Sequence, residues 1–123
     1  MPLRCLIVDD NSEFLAAAKT YLEKQGVEVV GTAQSGAEAL ETTTALKPDV
    51  VLVDVYLGDE SGFDVARHLD GSLADGRPAI ILISTYSEAD LGERVEASGA
   101  AGFLSKTELS GRALSALLGL DTP

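Results

Sequence analysis

The chain has 123 residues, 46% of them hydrophobic and 24% charged, which is typical of one globular domain with its own core. Twenty acidic residues against nine basic ones give a net charge of −11, which argues against direct binding to nucleic acid or to anionic membranes. No apolar run reaches the roughly 20 residues of a membrane span, and a secretory signal is lacking, so we expect a cytoplasmic protein. The single cysteine, Cys5, excludes an internal disulfide, and its apolar neighbours predict a buried thiol.

Hydrophobic patterning predicts five strands that alternate with five helices. The strands are short apolar runs, and the helices carry apolar residues at helical spacing with capping residues at several ends. At the start of the second helix, Ser35 and Glu38 have the spacing of a capping box. Alternation of this kind predicts an α/β fold in which helices cover both faces of a parallel sheet. The predicted strands cover residues 3–8, 27–32, 50–54, 79–83 and 101–104, and the predicted helices cover about 13–25, 35–46, 62–69, 87–98 and 108–118. Residues 55–61, between the third strand and the third helix, are predicted as a loop.

The third strand is the most informative run. Its residues Val50 to Val53 are all apolar with no polar alternation, a pattern typical of a strand buried on both faces. They lead directly into Asp54, and because burial of a lone carboxylate is costly, we expect this acid at the carboxyl edge of the sheet. Ligands of open α/β sheets bind at that edge.

Apolar residues at helical spacing predict the inward faces of the helices. The fourth helix offers few such residues and contains Gly92, which costs about 1 kcal/mol relative to alanine, so it is a candidate moving part. The residues predicted to face inward are Leu15, Ala18 and Leu22 in the first helix, Phe63, Ala66 and Leu69 in the third, Leu91 and Val95 in the fourth, and Leu109, Ala113, Leu114 and Leu117 in the fifth.

Polar side chains follow four of the strands at the point where each strand ends. They are Asp9 and Asp10 after the first, Asp54 after the third, Ser84 and Thr85 after the fourth, and Lys106 after the fifth. If these strands are neighbours, three acids, a hydroxyl and an amine meet at one rim. Carboxylates so close together repel unless a cation compensates, and oxygen ligands favour a hard ion such as Mg²⁺. Such a group suits phosphoryl transfer, in which a carboxylate can be the nucleophile.

Each of these residues also has an ordinary structural explanation. Asp10 or Asn11 could simply cap the first helix, since both types are favoured there. Ser84 could be a turn residue at a strand end, and Lys106 could be a solvated surface lysine. The coincidence of all these features at strand ends, in one order, favours a site. His68 stands alone on the third helix and is predicted to be a surface residue.

Over essentially its whole length the chain resembles the receiver domain of two-component response regulators, the CheY-like, flavodoxin-like fold. The resemblance is carried by the acidic pair Asp9-Asp10, by Asp54 with Gly62 eight residues later, by Ser84, and by Lys106 within Gly-Phe-Leu-Ser-Lys. It implies a five-stranded parallel sheet in the order 2-1-3-4-5. It also implies one receiver domain over residues 1–123, with an interdomain linker beginning at about residues 120–123.

The resemblance implies a role for each polar residue at the rim. Asp54 would accept a phosphoryl group from a histidine kinase, and Lys106 would contact that group. Mg²⁺ would be bound by Asp10, Asp54 and the backbone carbonyl of Tyr56, with Asp9 helping mainly through water. The protein would catalyse loss of its own phosphate but would not be an enzyme that turns over a separate substrate.

The implied output is a change of surface. Ser84 would be the switch hydroxyl and Phe103 the switch aromatic, and together they would remodel the face formed by the fourth helix, fifth strand and fifth helix. The Phe-Leu-Ser-Lys-Thr-Glu-Leu ending most resembles receivers of the NarL/FixJ class, usually joined to a helix-turn-helix DNA-binding domain. Control of transcription through such an output domain, absent from this chain, is therefore implied, with homodimerisation on phosphorylation. A stand-alone receiver that acts by protein–protein interaction is the alternative.

The chain departs from the family pattern at four positions, none of which removes a phosphorylation group. Phe103 stands where many members carry tyrosine, so any inward swing must rest on packing. Ser84 replaces the commoner threonine, Thr107 stands where many members have proline, and Gly58 lies where a proline often stiffens the loop.

Two tyrosines, Tyr56 and Tyr86, lie two residues beyond Asp54 and Ser84. In the family these positions flank the path of the hydrolytic water, so we hypothesise that two bulky rings slow dephosphorylation. The alternative is that one ring covers a partner surface.

Two other classes of protein fit parts of the pattern. A small Mg²⁺-dependent phosphatase also uses a strand-end aspartate, but it usually carries a second acid two residues later, where this chain has Tyr56. A flavodoxin-like cofactor binder would need a phosphate-binding loop after the first strand, where two acids stand instead.

Overall fold

The computed structural model describes residues 3–72, 78–85 and 92–119. Within these ranges the helices are α1 (Ser12–Lys24), α2 (Gly36–Leu46), α3 (Gly62–Ser72), α4 (Gly92–Ala97) and α5 (Gly111–Leu117). The strands are β1 (Arg4–Val8), β2 (Glu28–Ala33), β3 (Val50–Asp54), β4 (Tyr56–Leu57), β5 (Glu60–Ser61), β6 (Ala79–Ser84) and β7 (Gly102–Ser105).

Five of the strands form one parallel sheet in the order β2-β1-β3-β6-β7. These are the five predicted strands, so the predicted order 2-1-3-4-5 and the parallel α/β fold are confirmed. β3 lies at the centre, paired with β1 on one side and β6 on the other. A strand in this position has helices over both faces, which is why its sequence shows no polar alternation.

Alternate residues of β3 enter two separate cores. Val51 and Val53 pack in a cluster with residues of α2, α3 and α4, whereas Val50 and Leu52 pack in a cluster with residues of α1 and α5. Side chains of a strand point alternately to opposite faces, so one apolar run supplies both cores. Cys5 lies in the second cluster, where burial raises the pKa of its thiol to about 12, and the predicted buried thiol is confirmed.

The predicted capping of α2 is confirmed in nearly the expected form. The Ser35 hydroxyl accepts a hydrogen bond from the Glu38 amide at 3.2 Å. The Glu38 carboxylate reaches back to the amide of Gln34, one residue before the cap, at 2.6 Å. The two contacts satisfy amide donors that have no partner within the helix.

The predicted start of the last helix was wrong by three residues. A short 3₁₀ helix covers Lys106–Glu108, and α5 begins only at Gly111, with the Ser110 hydroxyl accepting a hydrogen bond from the Ala113 amide at 3.0 Å. The later start leaves Leu114 fully buried. It also corrects the prediction for Leu117, which is 37% exposed.

The segment that follows β3 was predicted as a loop and contains a small antiparallel hairpin, β4 paired with β5. Gly58 lies in its turn with φ of +57°. Proline has φ fixed near −65°, so this backbone could not accept a proline, and glycine adopts it without strain.

The structure describes only part of the fourth helix, which was predicted to be a candidate moving part. Val95 of α4 is buried, as predicted. The predicted start at Ser87 and the inward residue Leu91 lie outside the described residues, as does the predicted linker at 120–123. Among the helices described here, none has the length and apolar character that crossing a membrane requires.

Candidate functional site

The carboxyl ends of four parallel strands meet around one open cavity of about 430 Å³. Each strand supplies at least one polar residue, because parallel strands all end at the same edge of the sheet. The lining residues are Asp9, Asp10, Asn11, Asp54, Tyr56, Gly58, Thr85 and Lys106. The predicted convergence of acids and amine is therefore present, and after β6 it is Thr85, not Ser84, that lines the cavity.

The three acids form a tight cluster. Asp9, Asp10 and Asp54 each offer a carboxylate oxygen, and all these atoms lie within 4.8 Å of one another. The Asp9 side chain is fully buried and that of Asp54 is 10% exposed, whereas Asp10 is exposed to solvent. Burial, followed by the negative charge of Asp9, raises the pKa of Asp54 and outweighs the opposing effects of Lys106 and a backbone amide.

Lys106 lies among these acids and is not the solvated lysine of the ordinary explanation. Its Nζ is 2.6 Å from Asp9 Oδ2 and 3.3 Å from Asp54 Oδ2, and its side chain is 15% exposed. Burial alone would lower the pKa of Lys106, but the hydrogen bond to Asp9 and the charges of Asp54 and Asp9 together raise it. The amine therefore remains an ammonium group that bridges two carboxylates.

Of the two residues that could cap the first helix, Asp10 and Asn11, it is Asn11 that does so. The Asn11 Oδ1 accepts hydrogen bonds from the amides of Glu13 at 2.9 Å and Phe14 at 3.1 Å, which makes it the cap of α1. Its own amide donates to Asp9 Oδ1 at 2.9 Å. Asn11 thus joins the start of α1 to the buried acid and leaves the Asp10 carboxylate at the cavity.

Close packing of backbone holds Asp54 in place. The Tyr56 amide donates to Asp54 Oδ1 at 3.3 Å, and the Gly62 amide donates to the Val55 carbonyl at 2.8 Å. A Cβ added to Gly62 would lie 1.9 Å from the Asp54 carbonyl oxygen, which is far inside any allowed contact. The glycine eight residues after the acid is therefore required because the start of α3 lies directly against the end of β3.

The remaining predicted residues lie in different surroundings. Ser84 is buried at the end of β6, and Phe103 is buried within the core cluster that includes Val95 of α4. Tyr56 is 49% exposed at the cavity, whereas Tyr86 lies outside the described residues. His68 is exposed on α3, as predicted.

The donor set fits a hard divalent cation. All the acid donors are oxygens, and three carboxyl groups lie beside a single ammonium in a partly buried place. Since Lys106 engages Asp9, the oxygens of Asp10 and Asp54 are the better placed to bind a cation directly.

Two side chains of the site were not predicted as members of it. Asn11 was considered only as a cap, and its link to Asp9 follows from the capping geometry. Phe14 was not singled out, yet its ring centroid lies 4.2 Å from Lys106 Nζ. Its position three residues after the cap is a weak signal in the sequence, since it does not reveal a contact with a residue so far along the chain.

The clustering of charge predicts a measurable cost to stability. At neutral pH without divalent cations, we expect Asp54→Asn to increase the free energy of unfolding by about 1 kcal/mol, since it removes repulsion from Asp9 and leaves the Asp9–Lys106 ion pair intact. Because folding raises the pKa of Asp54, the protonated form is favoured in the folded state, and the ionised form costs stability. The gain should therefore shrink as the pH falls towards 3.8, the ordinary value for this carboxyl.

Urea unfolding of the wild type and of Asp54→Asn across this pH range measures the difference in their free energies of unfolding. Glu41→Gln, which removes an exposed acid from α2, is the control for total charge and should change stability little. An equal increase in the free energy of unfolding for Asp54→Asn and Glu41→Gln would contradict the explanation by local repulsion. An increase for Asp54→Asn that persists at the lowest pH would contradict it as well.

Comparison with known proteins gives consistent results. Residues 5–118 match the response regulator receiver domain family. The response regulator UvrY of Escherichia coli is 34% identical over 116 residues, which are 94% of this chain and 52% of UvrY. The chain spans about half the length of the curated relatives it matches.

Solved structures agree in fold. The signal receiver domain of the putative response regulator NarL from Mycobacterium tuberculosis has a TM-score of 0.80 and 32% identity, with 96% of this chain and 98% of that domain covered. A response regulator from Burkholderia pseudomallei, solved with a phosphorylated aspartic acid, calcium ion and citrate, has a TM-score of 0.79 and 28% identity, with 94% and 66% covered. With its acidic cluster, its lysine and its CheY-like sheet, this chain belongs to the response regulator receiver domain family of two-component systems.

Proposed function

We propose that the chain is a phosphorylation switch in which Asp54 accepts a phosphoryl group from a phosphohistidine of a histidine kinase. The observation that carries the proposal is the geometry at the sheet edge. Three carboxylates offer oxygens within 4.8 Å of one another, and one ammonium lies 2.6 Å and 3.3 Å from two of them. Burial of so much like charge costs stability, so a functional requirement best explains why it is kept.

The proposed reaction is a direct phosphoryl transfer. An oxygen of Asp54 forms a bond to phosphorus, while the bond from phosphorus to the donor histidine nitrogen breaks and its electron pair remains on that nitrogen. Lys106 Nζ is within 3.3 Å of Asp54 Oδ2, close enough to contact the oxygens of a phosphoryl group at that carboxylate. The ammonium would stabilise the charge on those oxygens during the transfer.

Mg²⁺ is the proposed cofactor, held by Asp10, Asp54 and the backbone carbonyl of Tyr56. Asp9 would help mainly through water, which agrees with its burial and its engagement by Lys106. The bound ion would supply positive charge that offsets the repulsion between the carboxylates and the incoming phosphoryl oxygens. The related Burkholderia protein holds a phosphorylated aspartic acid and a calcium ion, which supports this pairing of chemistry and cation.

The acceptor can be tested with a small phosphodonor. After incubation with acetyl phosphate and Mg²⁺, we expect the intact mass to increase by one phosphoryl group, and we expect no increase with Asp54→Ala or with a chelator. Asp64→Asn, an exposed acid in the first turn of α3, is the matched control and should be modified normally. If Asp54→Ala took up phosphate at the usual rate, the assignment of the acceptor would be wrong.

The conformational part of the proposal concerns Ser84 and Phe103. Ser84 ends β6 and pairs in register with Ser105 of β7, so a shift of its hydroxyl towards a phosphoryl group on Asp54 would act directly on the edge of the sheet. Phe103 is already buried and has no hydroxyl, so its contribution rests on packing. The phosphoryl group need only favour a pre-existing arrangement of the face formed by α4, β7 and α5.

A substitution can distinguish the role of the Ser84 hydroxyl in the conformational change from the phosphorylation of Asp54. We expect Ser84→Ala to accept phosphate while losing most of the phosphorylation-induced chemical shift changes in β7 and α5, because the phosphoryl oxygens lose their hydrogen-bond donor. Two-dimensional NMR of modified and unmodified protein measures this, and Ser84→Thr, which keeps the hydroxyl, should behave like the wild type. Unaltered shift changes in Ser84→Ala would exclude the hydroxyl as the switch.

The output is proposed from the relatives. UvrY is a response regulator and PdtaR of M. tuberculosis is a transcriptional regulatory protein, and this chain matches about half of each. We therefore propose a cytoplasmic receiver that controls a DNA-binding output domain, with homodimerisation on phosphorylation as the coupling step. The charge of −11 indicates that this domain does not itself contact DNA. A stand-alone receiver acting by protein–protein interaction is the alternative.

Phosphate lifetime is the last element of the proposal. Tyr56 lines the cavity with 49% of its surface exposed, so its ring can restrict water at the modified carboxylate. We expect Tyr56→Ser, alone or with Tyr86→Ser, to shorten the half-life of the phosphorylated protein several-fold. Tyr21→Ser on α1 is the control, because that tyrosine is exposed to the same 49%. Equal half-lives for Tyr56→Ser and the wild type would show that the ring does not slow hydrolysis. They would favour the alternative that the ring covers a partner surface.

A further inference from the structure

We propose that Phe14 is a positioning residue for phosphoryl transfer, whose ring holds the Lys106 ammonium at the Asp9–Asp54 side of the cavity. This inference rests on the proposed function of Asp54. The observation is that Lys106 Nζ lies 4.2 Å from the Phe14 ring centroid while it is paired with both carboxylates. That distance is well inside the range of about 6 Å over which an aromatic face attracts a cation.

The contact completes a closed series of interactions that begins and ends at Lys106. Lys106 Nζ pairs with Asp9 Oδ2, and Asp9 Oδ1 accepts from the Asn11 amide. Asn11 Oδ1 accepts from the Phe14 amide, and the Phe14 side chain returns to Lys106 Nζ. The capping that begins α1 therefore fixes the backbone of Phe14 relative to the buried acid, so the ring has a defined place beside the ammonium.

An aromatic ring suits this position better than a charged partner would. A fourth carboxylate would add to the repulsion that already raises the pKa of Asp54, and it would compete with a phosphoryl group for the ammonium. The face of a phenyl ring attracts the cation through its quadrupole without adding net charge. The ring can therefore confine the ammonium while leaving its N–H donors available for phosphoryl oxygens.

Packing is the competing explanation, because Phe14 also contacts the core cluster beneath α1 and α5. The two explanations differ in what they require at this position. Packing needs apolar volume, which leucine or methionine supplies, whereas positioning of an ammonium needs an aromatic face, which tyrosine supplies and the aliphatic residues do not.

Phosphorylation by acetyl phosphate with Mg²⁺, followed by intact mass over time, tests the effect on rate. We expect Phe14→Leu to slow uptake about fivefold, which corresponds to about 1 kcal/mol in the barrier, and Phe14→Tyr to stay within about twofold of the wild type. Phe14→Met is a second aliphatic variant, and thermal melting confirms that each variant is folded. Tyr21→Leu, the same aromatic-to-aliphatic change on α1, is the matched control and should leave the rate unchanged.

Proton NMR of the unphosphorylated proteins tests the contact itself, whereas the difference in rate between the tyrosine and the aliphatic variants is the readout that packing alone would not produce. The ε-methylene protons of Lys106 should be shifted upfield by the ring current in the wild type and in Phe14→Tyr, and the shift should be lost in Phe14→Leu. A wild-type rate for folded Phe14→Leu, equal slowing in the leucine and tyrosine variants, or an absent ring-current shift would overturn the proposal. If the wild type took up no phosphate, the proposed function would fail and the role in transfer with it, although the NMR result would still show whether the contact exists.

Discussion

The ion pair between Lys106 and Asp9 is the interaction on which the rest of the site depends. Asp9 has a fully buried side chain, and a buried carboxylate without a partner is too costly for a domain of ordinary stability. The 2.6 Å contact provides that partner and brings the ammonium within 3.3 Å of Asp54 as well. Two strands separated by most of the sequence, β1 and β7, are thereby joined through the side chains that follow them at the sheet edge.

The position of Lys106 is also related to the way the chain passes from β7 into α5. β7 is a short edge strand, and its end must hold Lys106 over the cavity, so the chain turns through a 3₁₀ helix before α5 begins. The Ser105 hydroxyl accepts a hydrogen bond from the Thr107 amide at 3.3 Å and fixes the start of that turn. The turn is what displaced the start of α5, and with it the inward position of Leu117.

Most of the fold was predictable because it follows from local pattern and general topology. The β3 run identified a central parallel strand, and the helix spacing identified the faces of α1 and α3. What was missed depends on tertiary contacts: the start of α5 was set by the lysine turn, and Gly58 adopts its left-handed backbone within a hairpin that pattern alone showed as a loop. Neither feature leaves a periodic signal in the sequence.

The candidate site was predictable to a similar extent, and for a related reason. Acids and a lysine at the ends of neighbouring parallel strands converge, so the strand order that the resemblance implied was enough to place Asp54 and Lys106 together. The need for Gly62 was visible only as a spacing, because its cause is the approach of α3 to the Asp54 backbone. The contact of Phe14 with Lys106 could not be predicted from the sequence, since it depends on the directions of two side chains that are far apart along the chain.

Clustered charge gives the proposed switch its physical basis. The resting site holds more negative charge than its single ammonium neutralises, and burial together with the charge of Asp9 raises the pKa of Asp54. A phosphoryl group adds further charge at the same carboxylate, so the modified site must recruit a cation and hydrogen-bond donors or rearrange. Ser84 ends β6, and Lys106 directly follows β7, which is itself part of the proposed output face. In the proposed switch, the residues that would satisfy the new charge would also be the ones that shift the sheet edge and α4, so that local electrostatics would become a change of surface.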